Sequence, residues 1–195
     1  MRHPIRTFLN SVVSNVDKNV FKSIIEMGAY ETEGQNDISV IRGLFDPAVE
    51  YYACDMRPGP GVTHIENVQA MSFPDNSIDL FIMLDVMEHV ADPFAAMAEV
   101  KRVLKGTGLL IMSSVMDFPI HAHPEDYWRF TPSAFDELTK NFEHRSIISE
   151  GYNRQPHTVI ALASNDYPID DQLVEKILGT YRENFYEKPS TFKIF

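Results

Sequence analysis

The sequence is poor in several features, and each shortage excludes a class of protein. Its single cysteine, Cys54, excludes an internal disulfide and predicts a protein of a reducing compartment. No apolar run is long enough to span a membrane, and residues 1–17 lack the apolar core of a signal peptide. We therefore expect a cytoplasmic protein that has no membrane partner.

Positive charge is also scarce. The chain has 17 lysine and arginine residues against 28 aspartate and glutamate residues, which gives a formal net charge of −11. A protein that binds nucleic acid needs basic groups to neutralise the phosphates. We therefore do not expect nucleic acid as a substrate or partner.

Residues 71–90 predict a loop, a buried strand and a polar strand end. Turn-forming residues occupy positions 73–77, and residues 78–84 are apolar except for Asp79. Such a short apolar run is typical of a strand buried on both faces of a parallel sheet. Three polar residues follow it, namely Asp85, Glu88 and His89. Ligands of open α/β sheets bind at the carboxyl ends of the strands, so these side chains are candidates for chemistry.

The rest of the chain predicts an alternation of strands and helices. Further strands are expected at 23–28, 51–55, 62–66 and 109–115, with a closing hairpin of 146–149 and 158–163 joined by a loop at 150–157. Helices are expected at 5–22, 37–45, 93–104, 131–141 and 170–186, the third ending at Gly106 as its C′ glycine. This order predicts a three-layer α/β/α fold, with a mostly parallel sheet and a reversed edge strand. Residues 1–195 would form one domain: an N-terminal helix (1–22), a core (23–163) and a C-terminal helix with its tail (164–195).

An ordered series of motifs resembles one known family. The series runs F-P-D-N-S-I-D-L, an apolar strand, E-H-V, D-P and then E-V-K-R-V-L-K-G-T-G-L-L. It resembles the middle of a class I S-adenosylmethionine (SAM)-dependent methyltransferase of the small-molecule branch, over residues 23–163. The resemblance implies a Rossmann-like methyltransferase fold, SAM as the cofactor and a small-molecule acceptor as the partner.

Asp55 is the strongest candidate for cofactor binding. It ends the predicted second strand, where a carboxylate can accept hydrogen bonds from both ribose hydroxyls. The resemblance implies that the next residue, Met56, lies against the adenine. The structural alternative is that Asp55 only stabilises the turn through the following Pro-Gly residues.

The first motif of the family is altered in this chain. Glu26 and Gly28 match its acidic residue and first glycine, but Tyr30 stands where the family has a second glycine, followed by Glu31 and Glu33. Carboxylates there would repel a pyrophosphate, which disfavours a dinucleotide, whereas SAM carries no phosphate and has cationic groups. Gly28 could alternatively be a simple strand-ending turn.

Four further residues fall at predicted strand ends beside the same site. Asn67 and Val68 match the family's adenine edge, where the asparagine oxygen and a backbone N–H can meet the base. Asp85 is a candidate for cofactor binding, and His89 is a candidate general base because imidazole titrates near neutrality. Asn67 could instead be an ordinary polar strand end, and His89 could hold a loop.

The segment H-A-H-P-E-D-Y-W-R-F-T-P, residues 121–132, has the most unusual composition. His121 and His123 are candidate catalytic residues, and with Glu125 and Asp126 they suggest metal ligands. A His-x-His pair on a loop without a matched ligand set is weak evidence, so no metal is predicted.

The same segment also supplies candidate substrate-binding residues. Tyr127 and Trp128 would form an apolar wall, and Arg129 would offer a fork to an anion on the acceptor. The structural alternative is that Trp128 packs onto the sheet and Arg129 makes an ion pair within the protein.

The C-terminal tail is rich in aromatic residues: Tyr181, Phe185, Tyr186, Phe192 and Phe195. Three roles are open for it, namely covering the core, closing the site as a lid, or joining two copies in a homodimer.

These observations favour SAM-dependent methyl transfer to a small molecule. The alternative is a methyltransferase-like binding or regulatory protein whose altered first loop impairs catalysis. A nucleotide-sugar or NAD-binding enzyme is a third hypothesis, disfavoured by the missing phosphate loop.

Overall fold

The computed structural model describes residues 3–31, 39–121, 124–152 and 155–186. Its strands are β1 (Ser23–Met27), β2 (Glu50–Asp55), β3 (His64–Ile65), β4 (Ile78–Leu84), β5 (Leu104–Val115), β6 (His144–Tyr152) and β7 (Gln155–Ser164). Its helices are α1 (His3–Asn15), α2 (Ser39–Arg42), α3 (Pro93–Val103), α4 (Pro132–Thr139) and α5 (Asp171–Tyr186).

The seven strands form one sheet in the order β3-β2-β1-β4-β5-β7-β6. The first five are parallel, and β7 runs antiparallel to both β5 and β6. The mostly parallel, Rossmann-like fold predicted from the sequence is confirmed. The reversed strand lies one place inside the edge, because β6 and β7 form a hairpin whose first strand is the outer one.

The two faces of the sheet carry separate apolar layers. Ile24 and Leu80 pack with α1, α2 and α5, whereas Ile25 and Phe81 pack with α3 and α4. Neighbouring residues of a strand point to opposite faces, so a strand covered on both sides needs consecutive apolar residues. This requirement explains the unbroken apolar run of β4.

The N-terminal helix is shorter than predicted. The sequence predicts a helix over residues 5–22, but α1 ends at Asn15 and a 3-10 turn, Lys18–Val20, follows it. The Asp17 side chain accepts a hydrogen bond from the Asn19 N–H at 3.1 Å and thereby caps this separate turn. Val20 continues the helical spacing in the sequence, but its side chain is 49% exposed.

The predicted starts of α3 and α4 are confirmed. The Asp92 side chain accepts the N–H groups of Phe94 and Ala95 at 3.1 and 3.0 Å. The Thr131 side chain accepts the Ala134 N–H at 3.2 Å. In both helices a proline occupies the first turn, where its missing N–H costs nothing.

The predicted end of α3 is wrong. Gly106 is not a C′ glycine, because the chain passes directly from α3 into β5, where Leu104 already pairs with Ile78. Lys105 forms an ion pair with Asp79, with 2.8 Å between Nζ and Oδ1. The basic residue and glycine that imitate a helix end are therefore the first residues of a strand.

Other predicted bounds differ less. The strand expected at 62–66 is only the two-residue β3, and most of the loop expected at 150–157 belongs to β6 and β7. Within the helix expected at 37–45, α2 covers Ser39–Arg42, and residues 37–38 lie outside the described residues. No helix in the described ranges combines the length and the hydropathy needed to cross a membrane.

Part of the aromatic C-terminal segment covers the core. Tyr181 is buried, its ring centre lies 5.9 Å from that of Phe8, and Phe185 stacks on it at 5.4 Å. Phe192 and Phe195 lie outside the described residues, so the lid and homodimer roles of the tail stay predictions.

Candidate functional site

A cavity of about 310 Å³ opens at the carboxyl edge of the parallel strands. We call its two ends the β2 end, formed by residues at or just after the ends of β1, β2 and β3, and the β5 end, formed by residues that follow β4 and β5. The β2 end includes Glu26, Gly28, Tyr30, Asp55, Met56, Arg57, Glu66, Asn67 and Val68. The β5 end includes Glu88, His89, Phe118, His121, Glu125 and Tyr127, and Asp85 lies between the ends.

The charged groups along the cavity are mostly acidic. Of the described residues, six line it with carboxyl side chains, namely Glu26, Asp55, Glu66, Asp85, Glu88 and Glu125, and one, Arg57, lines it with a guanidinium. Such a lining attracts a cationic ligand and repels a phosphate.

Gly28 makes the tight turn that ends β1. Its φ of +87° lies in the left-handed region, and its N–H donates to the Cys54 carbonyl at 2.8 Å. A Cβ at this position would overlap the Val86 side chain. A glycine is therefore required by the turn itself, whatever binds beside it.

Tyr30 occupies the space next to the turn that follows β2. Its ring lies where a Cβ on Gly59 would otherwise stand, and the Arg57 guanidinium sits 4.4 Å from the ring centre. The Glu31 N–H donates to the Pro60 carbonyl at 3.0 Å. Tyr30 and Glu31, which are the described residues of the altered first motif, thus pack against the turn that follows β2, and Tyr30 lines the β2 end.

Glu26 lies buried beneath this wall. Its carboxyl group accepts a hydrogen bond from the Tyr51 hydroxyl and is 5% exposed. Burial raises the pKa of Glu26 from 4.5 to about 7, against the lowering effect of the Tyr51 hydrogen bond, and nearby Glu31 adds to the rise. Glu26 is therefore close to its titration point at neutral pH.

Asp55 ends β2 with its carboxylate at the cavity wall. Oδ1 accepts the Arg57 N–H at 2.9 Å and lies 3.4 Å from the Arg57 Nε. Among the described residues, the hydrogen bonds to this carboxylate use Oδ1 alone. Asp55 therefore stabilises the turn after β2 through Oδ1. These bonds leave Oδ2 for a hydrogen bond to a ligand. Met56, next to it, is 56% exposed at the lip.

Residues 66–68 form the opposite wall of the β2 end. The Asn67 Oδ1 accepts the Gln69 N–H at 3.0 Å, which fixes the amide, and Val68 is buried beside it. Glu66 is also buried, and its carboxylate accepts the Ser72 N–H at 3.0 Å together with the Ser72 hydroxyl.

Asp85 adopts a φ of +54°, which is unusual for a residue other than glycine. Its Oδ1 accepts the Ser113 hydroxyl at 2.9 Å, and its N–H donates to the Ser113 carbonyl at 3.0 Å. These bonds to β5 hold the strained residue at the middle of the cavity.

The β5 end brings together Glu88, His89 and His121. Glu88 is fully buried, its Oε2 accepts the Ser114 hydroxyl at 2.6 Å, and its carbonyl accepts the Tyr127 N–H at 2.7 Å. The rings of His89 and His121 stand edge to face with centres 4.8 Å apart. His123, predicted as a catalytic candidate, lies outside the described residues.

Arg129 does not offer its guanidinium to the cavity, so its predicted role as an anion-binding fork is corrected. It forms a two-pronged ion pair with buried Asp126, with N–O distances of 2.5 and 2.8 Å. It also donates to the carbonyls of Phe118 and Pro119 at 3.1 Å each. This pairing lowers the pKa of the Asp126 carboxyl well below its usual range, mainly through the Arg129 hydrogen bonds. Arg129 therefore holds the segment between β5 and α4 in shape.

Trp128 also lies away from the cavity, contrary to its predicted role. Its indole N–H donates to the Val90 carbonyl at 2.8 Å, and its ring lies 6.5 Å from that of Phe130. Tyr127, by contrast, lines the cavity and is 50% exposed. Of the three predicted acceptor-binding residues, only Tyr127 is placed to touch a ligand.

Glu88, which the sequence analysis named with Asp85 and His89 as a candidate for chemistry, lines the cavity. Two charged residues of the cavity were not singled out from the sequence as site residues. Arg57 and Glu66 follow β2 and β3, so their position at strand ends was the available signal.

Residues 45–112 match the family described as "Methyltransferase domain". No curated protein matches the chain. Among solved structures, a protein from Pyrococcus horikoshii is similar at 16% identity, with 83% of this chain and 89% of that chain covered and a TM-score of 0.59.

Two solved methyltransferases are also similar in fold. A SAM-dependent methyltransferase from Archaeoglobus fulgidus shares 11% identity over 82% of this chain and 90% of that chain, with a TM-score of 0.58. The 1,6-didemethyltoxoflavin-N1-methyltransferase of Burkholderia thailandensis, solved with 1,6-didemethyltoxoflavin and S-adenosylhomocysteine, shares 13% over 82% and 78%, with a TM-score of 0.58.

Proposed function

We propose that this chain is a class I SAM-dependent methyltransferase, as the match of residues 45–112 suggests, and that it methylates a small molecule bound at the β5 end of the cavity. The observation that carries the proposal is the continuity of that cavity. One space joins the Asp55 carboxylate at the end of β2 to the histidine pair beyond β4 and β5.

The β2 end suits the adenosine and methionine parts of SAM. We assign the ribose hydroxyls to Asp55, the adenine ring to Met56 and Val68, and the adenine amine to Asn67. Glu26, Gly28 and Asp85 border the remaining space, where the cationic groups of SAM would meet the acidic lining. No phosphate is needed for binding, which agrees with the acidic lining and with the packing of Tyr30 beside it.

The β5 end suits an acceptor of modest size. The whole cavity, at about 310 Å³, lies at the lower limit of the volumes of small-molecule sites. Tyr127 offers an aromatic wall, and the acidic lining disfavours nucleic acid. The similar Burkholderia thailandensis enzyme acts on a small molecule, by its name.

Methyl transfer requires the acceptor atom to lie in line with the sulfonium methyl group. Holding two reactants in that geometry can contribute about 7–11 kcal/mol to lowering the barrier. An acceptor hydroxyl must also lose a proton, and among the described residues His89 and His121 supply imidazoles at that end of the cavity.

Calorimetric titration of the purified chain tests the cofactor assignment. We expect SAM and S-adenosylhomocysteine to bind with one site per chain and NAD not to bind. Binding of NAD but not SAM would overturn the proposal in favour of a nucleotide enzyme.

Methyl-labelled SAM tests the acceptor class. The chain is incubated with labelled SAM and a cell extract, which is then separated into small-molecule, protein and nucleic-acid fractions. Label in the small-molecule fraction supports the proposal, and label confined to a macromolecular fraction overturns it. Tight SAM binding without any transfer would instead favour a binding or regulatory role.

A further inference from the structure

The β5 end holds three potential metal ligands that converge from two loops. Glu88 and His89 lie on the 3-10 turn Met87–His89 after β4, and His121 lies on the segment after β5. One ligand atom from each residue lies within 4.8 Å of the others. Two imidazoles and a carboxylate are a ligand set that zinc and related divalent transition metals use.

The hydrogen bond of His89 fixes which of its nitrogens can act as a ligand. Its Nδ1 is bonded to the Glu125 carbonyl oxygen. A carbonyl only accepts, so Nδ1 carries the proton and the neutral ring has its lone pair on Nε2. A ligand histidine that donates its other N–H to a backbone carbonyl is the usual arrangement around protein-bound metals.

His121 is held in the same way. Its Nδ1 lies 3.2 Å from the Asp126 Oδ2 and 3.2 Å from the Pro119 carbonyl oxygen. The Asp126 carboxylate is ionised beside Arg129, so both of these oxygens act as acceptors. The lone pair of the neutral ring is then on Nε2, which lies 3.9 Å from the Glu88 Oε1.

Glu88 is oriented by its own partners. The Ser114 hydroxyl donates to Oε2 at 2.6 Å, and Oε1 is the oxygen that lies 3.9 Å from the His121 Nε2. Burying a carboxylate this completely costs free energy, and a nearby cation offsets that cost.

We propose that Glu88, His89 and His121 bind one divalent transition-metal ion at the β5 end of the cavity. Ligand bonds of about 2.0–2.2 Å in a tetrahedral site place donor atoms about 3.4 Å apart, so the ligands must move closer on binding. The present ligand atoms lie within 4.8 Å of one another, so the side chains would have to approach by about 1 Å.

The proposed ion would leave a coordination position facing the cavity, since the protein supplies only three ligands. An acceptor oxygen bound there would lose its proton more easily, and the ion would then replace His89 and His121 in the general-base role. This last consequence rests on the proposed function, whereas binding of the metal does not.

The competing structure has no metal. In it, His121 is protonated and forms an ion pair with Glu88, and the cluster only stabilises the loops. The metal site requires Glu88, His89 and His121 to bind one ion together, whereas the ion pair requires only Glu88 and His121.

Zinc binding distinguishes the two accounts. The full chain is treated with a chelator and then titrated with zinc in a calorimeter, without SAM or acceptor. We expect one zinc ion per chain, with magnesium giving no comparable binding. Glu88→Gln and His89→Ala should each weaken zinc binding at least tenfold. The matched control His144→Ala, which removes an exposed histidine on β6, should bind zinc as the unaltered chain does.

Cobalt substitution supplies a second readout. Visible absorption of the cobalt form should show a low-coordinate site and should be lost in the Glu88→Gln variant. If that variant fails to fold, as judged by its melting temperature, His89→Ala carries the test because its side chain is only partly buried.

Three results would overturn the proposal. The first is zinc binding no stronger than that of the Glu88→Gln variant. The second is zinc binding that His121→Ala or His123→Ala abolishes but Glu88→Gln and His89→Ala leave unchanged, which indicates chelation by the His-x-His pair. The third is loss of binding in the His144→Ala control. Because none of these measurements uses SAM or an acceptor, their failure is distinct from failure of the proposed function.

Discussion

The two ends of the cavity are built by different means. The β2 end is shaped by strand ends and backbone turns, with Gly28 locked between Cys54 and Val86 and Asp55 at the end of β2. The β5 end is shaped by side chains that hold the segment between β5 and α4, chiefly the pair of Asp126 and Arg129. The first end is therefore a product of the fold, and the second is a product of particular side chains.

This difference indicates which end of the cavity chains of the same fold can share and which end is specific to this chain. Turns made by the sheet itself can persist in any chain that folds this way, whereas the side chains that carry a function need not. An acceptor site made from a braced loop can change with a few substitutions while the sheet stays the same. Variants at each end should consequently affect different properties.

Arg129→Ala should give the largest effect, and it should fall on stability. It leaves the buried Asp126 carboxylate without its two-pronged partner, and we expect a loss of about 3–4 kcal/mol in the free energy of unfolding. Thermal or denaturant unfolding measures the loss. SAM affinity of the folded fraction should be nearly unchanged.

Arg145→Ala is the matched control. Arg145 pairs with Asp136 at 2.8 Å, but both side chains are substantially exposed, so we expect a change of about 1 kcal/mol or less. Equal stability losses in the two variants would contradict the bracing role of Arg129.

Glu26 should make the β2 end sensitive to pH. Its pKa in the folded protein, about 7, lies above the ordinary value of 4.5, so the folded state holds more protons than the unfolded state between these values. Stability should therefore fall as the pH rises through this window, by about 3 kcal/mol at most. Unfolding measured across the window should show this slope in the native chain and lose it in Glu26→Gln.

SAM should also release a proton when it binds near pH 7, since a cation beside Glu26 favours the ionised carboxylate. Calorimetry in buffers of different ionisation enthalpy measures that release. A binding enthalpy independent of the buffer would place the cationic groups of SAM away from Glu26.

Asp55→Ala should weaken SAM binding by about 1.5–3 kcal/mol, the range for hydrogen bonds to a charged group. Asp55→Asn keeps an acceptor for the Arg57 N–H and should therefore keep the turn while weakening SAM less. Calorimetry measures both affinities. A folded Asp55→Ala variant with native affinity would rule out its role at the ribose.

Asn67→Ala should give the smallest effect, about 0.5–1.5 kcal/mol in SAM affinity, because a neutral hydrogen bond is lost. Asn67→Asp retains an oxygen for the Gln69 N–H and for the adenine amine, so it should bind SAM nearly as the native chain does. A large loss in Asn67→Asp would show that the amide nitrogen is the contact that matters.

The contrast between the ends also explains what the sequence could predict. The apolar run of β4, the caps Asp92 and Thr131, and the strand-end position of Asp55 are local signals, and the structure agrees with each. The prediction that Gly106 ends α3 was wrong. A basic residue followed by glycine is a local signal for a helix end, but the pairing of Leu104 with Ile78 begins a strand there.

The side-chain partners at the β5 end could not be predicted from local signals in the sequence. The orientation of Arg129 depends on Asp126 and on two carbonyls of the same loop, and nothing in the spacing distinguishes this brace from an anion-binding fork. The approach of His121 to Glu88 joins residues 33 positions apart (121 − 88) in two loops. Only the folded sheet brings them together.

A crystal structure of the chain with S-adenosylhomocysteine tests the central claim most directly. We predict the ribose hydroxyls within hydrogen-bond distance of the Asp55 carboxylate, the adenine between Met56 and Val68, and the sulfur facing the β5 end. A ligand whose ribose lies away from Asp55, or whose sulfur points away from His89 and His121, would contradict the account.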